Sequence, residues 1–272
     1  MNTEDLKKQP KPSFKNPPII EVIAGVQFEN PLNFRTLDLA DIWDDFGKDK
    51  FTDYREMRPL DPILPDNVRV IEMSDLPRMR RFWFETPNDE ELIQVQQDRL
   101  VYNWKRPSDN LNDKNCYPRY EAVIENFFQY YESFSKGMER KGVKAENPSV
   151  MELTYVNLID VPDGGVSEIG ECFKDASWSN QKRVLPPPEN IQHRNFFKIP
   201  DLPLMLFTDL SMRQRVHDGK IAFHYELSVR GPINNFSNKS MREWFDNARL
   251  WITFGFVDST TECMHKIWEK EK

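Results

Sequence analysis

The stretch DLSMRQRVHDGKIAFHYELSVR, residues 209–230, decides the reading of the fold. At its middle stands Asp218-Gly219, a two-residue turn favoured in β-hairpins because both residues tolerate positive φ. Closed around that turn, the hairpin predicts Val216 beside Ile221, Gln214 beside Phe223 and Arg213 beside His224. The strand period of two then sorts the side chains onto two faces. Leu210, Met212, Val216, Ile221, Phe223, Tyr225, Leu227 and Val229 fall on one. Asp209, Ser211, Arg213, Arg215, His217, Lys220, His224, Glu226, Ser228 and Arg230 fall on the other. An antiparallel sheet packed on one face and wet on the other alternates in this way.

Outward from the hairpin the same grammar repeats. Ile20, Val22, Ala24, Val26 and Phe28 alternate as a strand, and Leu39, Ile42, Trp43 and Phe46 form the inner stripe of a helix whose outer positions are Asp38, Asp41 and Asp45. Strands are expected near residues 68–72, 79–86, 92–96 and 99–104. A long helix follows, because Tyr120, Ile124, Phe127, Tyr131, Phe134 and Met138 keep helical spacing and Pro118 suits its start. The pattern then restarts. Pro18, Glu21 and Pro31 bracket the first strand as Pro148, Glu152 and Pro162 bracket another. A short helical stretch near 168–174, a loop at Pro186-Pro187-Pro188, strands near 203–217 and 220–230, and a helix over 240–266 complete it. Ser240 and Glu243 read as that last helix's capping box. The expected fold is therefore α+β: a duplicated unit of strand, helix, antiparallel strands and long helix, making two antiparallel sheets or one continuous sheet with the long helices on one face. Residues 1–17, rich in lysine and proline, read as a disordered tail in which only Leu6 and Phe14 could be buried. Residues 18–145 form the first half and 146–272 the second.

Composition narrows the class. The 272 residues carry 37 Lys+Arg against 44 Asp+Glu, a net charge of −7, and 39% are hydrophobic. No apolar run reaches the roughly 18–20 residues of a membrane span, and no secretory signal is read. The cysteines, Cys116, Cys172 and Cys263, fit neither a disulfide framework nor a zinc site, so a cytoplasmic setting is expected. The sequence lacks the dinucleotide, P-loop, nucleophile-elbow and zincin motifs, which removes those enzyme classes from the reading.

Three motifs stand in a telling order: Asn16-Pro17-Pro18-Ile19-x-Glu21-Val22, then Asn103-Trp104 ahead of Tyr117-Pro118-Arg119-Tyr120-Glu121, then His265-Lys266-Ile267-Trp268. Together they resemble a sporadically distributed bacterial protein family, over nearly the whole chain from residue 16. Glu269 departs from the glycine expected after the terminal tryptophan. The resemblance implies one fold along the chain and no established reaction. The family's patchy distribution associates it with mobile or defence-island genes.

The polar face of the hairpin is the expected binding site: Arg213, Arg215, His217, Lys220, His224, Glu226 and Arg230. Its cations make a local basic patch on an acidic protein, which suits a partner protein with an acidic surface. Nucleic acid is not favoured, since the whole chain is acidic and the aromatics lie on the opposite face. His217 and His224 lack a third metal ligand, and Arg213 repels a cation. Four aspartates on one helix, Asp38, Asp41, Asp44 and Asp45, read as a solvated surface, Trp104 and Tyr120 as core, and Arg119 and Glu121 as surface pairs. The resulting expectation is a binding protein without intrinsic catalysis and without cofactor, an accessory or regulatory partner in a defence or toxin-control locus. A small-molecule carrier holding an anionic or amphipathic ligand between sheet and helix is second. A hydrolase using His224 and Glu226 is third.

Overall fold

The computed structural model describes residues 1–63, 80–107, 116–143, 147–163, 165–177, 184–186, 188–215, 218–233 and 236–272. Along the chain run α1 (Thr3–Lys7), β1 (Ile19–Phe28), α2 (Leu39–Phe46), β2 (Asp53–Met57), β3 (Arg81–Glu85), β4 (Glu91–Gln96), β5 (Arg99–Lys105) and α3 (Tyr120–Arg140). Then come β6 (Pro148–Asp160), α4 (Ile169–Cys172), β7 (Gln192–Lys198), β8 (Met205–Gln214), β9 (Ile221–Pro232), α5 (Asn238–Ser259) and α6 (Glu262–Ile267). Among the described residues the strands form one antiparallel sheet in the order β2-β3-β4-β5-β1-β6-β9-β8-β7. The last strand of each half returns beside its first, β5 next to β1 and β9 next to β6. No described helix is long and apolar enough to cross a membrane.

The alternation of β1 explains the packing. Val22 lies between Trp104 and Tyr155, and Ala24 between Tyr102 and Leu153; all six are buried. Directly opposed residues in a sheet share a face, so these rows make one apolar surface. From the stripe read from the sequence of α3, Phe134 stacks on Phe28 at 6.2 Å, and beside that stripe Tyr130 meets Tyr102 at 5.4 Å. From α5, Phe256 meets Tyr225 at 6.4 Å. Gly255 lets that helix close on the sheet, since a Cβ there would stand 3.2 Å from Leu206. Each fully buried phenylalanine contributes about 2–3 kcal/mol by this burial.

Several expectations change. The hairpin register moves by two residues: Gln214 pairs with Ile221, Arg213 with Ala222 and Ser211 with His224. The loop is longer than two residues because the Arg215 N–H donates to the Lys220 carbonyl at 2.7 Å and the Gly219 N–H to the Arg215 carbonyl at 3.0 Å. Gly219 supplies the positive φ, +70°. A slip of two preserves parity, so the residues of β8 and β9 keep their expected faces, while Val216, expected beside Ile221, lies outside the described residues. The long C-terminal helix ends at Ser259 and restarts as α6, and its cap is Ser237 with Ser240. Edge strands β2 and β7 were not foreseen. The strand expected at 68–72 lies outside the described residues. Residues 1–17 are docked rather than free: α1 is capped by Asn2, Thr3 bonds Asp201 at 2.8 Å, and Phe14 bridges to Lys270. Leu6 and Phe14 are buried, as read.

Candidate functional site

The opposite surface of the sheet is polar, and its groups are fixed by one another. On β3, the Arg81 guanidinium and the Trp83 indole both donate to Gln94 Oε1, at 2.8 and 3.0 Å. Gln94 Nε2 donates to Asn103 Oδ1 at 2.7 Å, and Asn103 Nδ2 donates to Glu21 Oε1 at 2.7 Å. One hydrogen-bonded chain thus crosses β3, β4, β5 and β1. Burial pushes the Glu21 carboxyl up, against the pull of Asn103 and Lys105. Lys105, opposite Glu21, reaches Glu85 at 3.5 Å and Asp89 at 2.8 Å. Arg81 and Lys105 both lie over the Trp83 ring, at 5.2 and 5.6 Å.

Across the β1–β6 seam the pattern continues. Thr154 donates to Ser228 Oγ at 2.6 Å, and both are buried. Arg230 pairs with Glu152 at 2.7 Å and covers Phe207 at 5.3 Å. Glu226 stands between Val156 and Asp209. Among the described residues no hydrogen bond or ion pair holds it. Burial raises its pKa; Arg230 opposes that, while Glu152, Asp209 and Glu21 add to it. His224 is pushed down to about 4, first by burial and then by Arg213, so it is neutral at pH 7.

A second feature was not foreseen: residues 60–63 lie against this same face. Gln96 takes the Leu60 N–H at 2.8 Å and donates to the Leu60 carbonyl at 3.1 Å. Gln27 does the same to Ile63, at 2.7 and 3.2 Å. Arg99 donates to the Asp61 carbonyl at 2.7 Å and to Gln27 at 2.9 Å. A carboxamide presents one donor and one acceptor side by side, the complement of a backbone amide. Gln27 in β1 and the alternating Gln94 and Gln96 of β4 were the available signal, but the partners of Gln27 and Gln96 lie 36 positions away.

The expected site residues divide into two groups. His224, Glu226 and Arg230 sit on the polar face of β9. Arg213 and Lys220 are exposed at the hairpin end, and His217 lies outside the described residues. Arg215 is not surface charge: it is buried and clamped by Asp160 at 2.5 Å and Asp218 at 2.8 Å. With Arg230 also paired, the four-cation patch loses two of its members to neutralisation. Arg213 faces Ala222, so the expected contact with His224 across the strands gives way to Ser211 opposite His224. No hydrogen bond joins that serine and histidine.

Elsewhere, side chains singled out from the sequence are paired. Asp38, Asp41, Asp44 and Asp45 bind Arg35, Lys141, Lys48 and Arg140 respectively. Tyr117 packs on Trp104 at 5.3 Å, Tyr120 donates to Asp246 at 2.8 Å, and Glu121 pairs with Arg249 at 2.6 Å. Among the described residues no group of three or more His, Cys, Asp or Glu is placed to hold a metal ion. A cleft between the segment that follows α4 and strands β7, β8 and β9, lined by Phe173, His193, Thr208 and Tyr225, measures about 260 Å³ with its solvent-open part included. Small-molecule sites usually span roughly 300–1,000 Å³. No protein-family model matches this sequence, and no curated protein matches it.

Proposed function

We propose that this chain is a non-catalytic binding protein that engages a partner protein through the polar face of its sheet. The observation that carries this reading is the state of the polar groups there. A face that needs only to be soluble carries mobile, exposed side chains. Here Gln94, Asn103, Thr154 and Ser228 are 6%, 3%, 1% and 1% exposed and locked in mutual hydrogen bonds. Such order carries an entropic cost that solubility does not require, and it pre-organises a surface for recognition. Trp83 and Phe207, each with a cation against its ring, are the aromatic anchors. The carrier alternative has less support, because Phe127, Phe134, Phe223 and Phe245 are fully buried in the core that the sheet shares with its helices.

Two finer features belong to the same reading. The repeated order of strand, helix, antiparallel strands and long helix, with β1 and β6 antiparallel at the centre, supports an internal duplication about a pseudo-two-fold axis. Contacts of α3 and α5 with the same apolar rows support helices on one face.

The test is differential capture from native-host extract, followed by measurement with the purified partner. Trp83→Ala with Phe207→Ala should weaken binding at least about tenfold, the scale of an aromatic anchor. Glu132→Lys with Lys136→Glu, an exposed pair on α3, should leave it unchanged. Equal binding by both variants, or loss only in the α3 variant, would move the site off this face.

A further inference from the structure

The two edges of the sheet are built differently. On β2, Asp53, Arg55 and Glu56 are exposed charges, with Arg55 paired to Glu85 at 2.9 Å and Glu56 to Arg80 at 3.6 Å. Charge along an edge is the ordinary guard against another strand pairing there. On β7 the guard is thinner. Its seven residues pair with β8 in unbroken register from Gln192–Ser211 to Lys198–Met205, with no bulge and no proline. Being consecutive, Phe196 and Phe197 point to opposite faces, and they are 57% and 46% exposed. Among the described residues nothing pairs with the outer edge of β7.

We infer that β7 is a self-association edge, where a second copy of this chain adds its own β7 antiparallel and continues the sheet. The occupant and the register follow from the charges. A two-fold axis normal to the sheet keeps like faces together, so the pairing must centre on a residue. Centred on Arg194, it sets that guanidinium against its own copy. Centred on Phe196, it sets Arg194 against Lys198. Centred on Asn195, it pairs all seven residues and sets no cation directly opposite another: Arg194 meets Phe196, Lys198 meets Gln192, and His193 meets Phe197. Cations opposite aromatic rings and amides attract where like charges repel, so the same two cations that would guard the edge select one register. Arg194 is already oriented, held by Asp209 at 2.5 Å. A seven-residue edge is small beside the ~1,200–2,000 Å² of a stable interface. The dimer is therefore concentration-dependent, with Kd on the order of tens of micromolar.

Sedimentation equilibrium of the full chain from about 1 to 300 µM tests this, with melting curves to confirm folding. The wild type should pass from monomer to dimer across that range. Phe196→Lys places a third cation opposite Arg194 and should weaken the dimer at least about tenfold, whereas Phe196→Glu gives Arg194 an ion-pair partner and should stay at least about tenfold tighter than Phe196→Lys. Asn195→Cys in a Cys263→Ser background should form an intermolecular disulfide, and His193→Cys should not, because only residue 195 meets itself. A wild type monomeric at 300 µM would overturn the edge. Equal Kd for the two Phe196 variants, or crosslinking of both cysteine variants, would overturn the register.

Discussion

The imidazole of His224 is held neutral by its surroundings, and that has a consequence for stability. Burial and then Arg213 push its pKa from 6.5 down to about 4, against the pull of Asp209. The unfolded chain takes up this proton near pH 6.5, while the native chain resists until about 4. The stabilisation is thus whole above pH 6.5 and is lost as pH falls towards 4, by on the order of 2–3 kcal/mol. Glu21 and Glu226 run the other way: their raised pKa values bring stability as acid protonates them in the native state. Comparison of wild type with His224→Gln isolates the histidine. Urea midpoints at pH 7.5 and 4.5 should fall further in the wild type than in the variant; equal falls would mean that the histidine is as solvated folded as unfolded. That His224, Glu226 and Arg230 share a face was legible from strand parity. Their partners were not, because Glu152 and Phe207 reach Arg230 only through pairings across two other strands.

Among the elements, legibility followed burial. The inner strands β1, β4, β5, β8 and β9 and the stripe of α3 each place apolar side chains at the period their packing demands. The edges β2 and β7 have little to bury on either side, so DYREM and QHRNFFK show no such period. Local hydrogen bonding misled at two ends. Asp218-Gly219 matches a tight turn, but the Asp218 carboxylate is taken by Arg215 and by the Lys220 N–H at 3.0 Å, which closes a wider loop. At the start of α5, Ser240-x-x-Glu243 matches a capping box, yet Ser237 Oγ takes the Ser240 N–H at 3.0 Å and Glu243 reaches Lys239 at 3.8 Å. Ser237→Ala should therefore cost about 1 kcal/mol in urea unfolding. Glu243→Ala should stay within about 0.5 kcal/mol, as an exposed pair does. The reverse ranking would restore the cap to Ser240.

At the scale of the molecule, the chain ends meet. Residues read as a solvated leader run back beside the C-terminus, where the Lys15 N–H bonds the Glu269 carbonyl and the Asn16 N–H the Trp268 carbonyl, each at 3.1 Å. Arg119, ahead of α3, donates to the Phe14 carbonyl at 3.0 Å. The Phe14 ring stands edge-on to Phe256 at 5.7 Å and to Trp268 at 5.9 Å. One side chain therefore ties the N-terminal segment, the end of α5 and the residue after α6 into one core. Composition could not show this, because lysine and proline set the average while a single phenylalanine sets the contact. Phe14→Ala empties the centre of that cluster and should cost about 3–5 kcal/mol, the range for removing a buried ring. Lys11→Ala, a neighbouring exposed substitution, should cost less than about 0.5 kcal/mol. Because the cluster includes Trp268 and the sheet is continuous across both halves, tryptophan fluorescence and far-ultraviolet circular dichroism should report the Phe14→Ala loss as one shifted transition. A change below about 0.5 kcal/mol in Phe14→Ala would return residues 1–17 to the role of a free leader. Two separated transitions would mean that the halves fold as independent units.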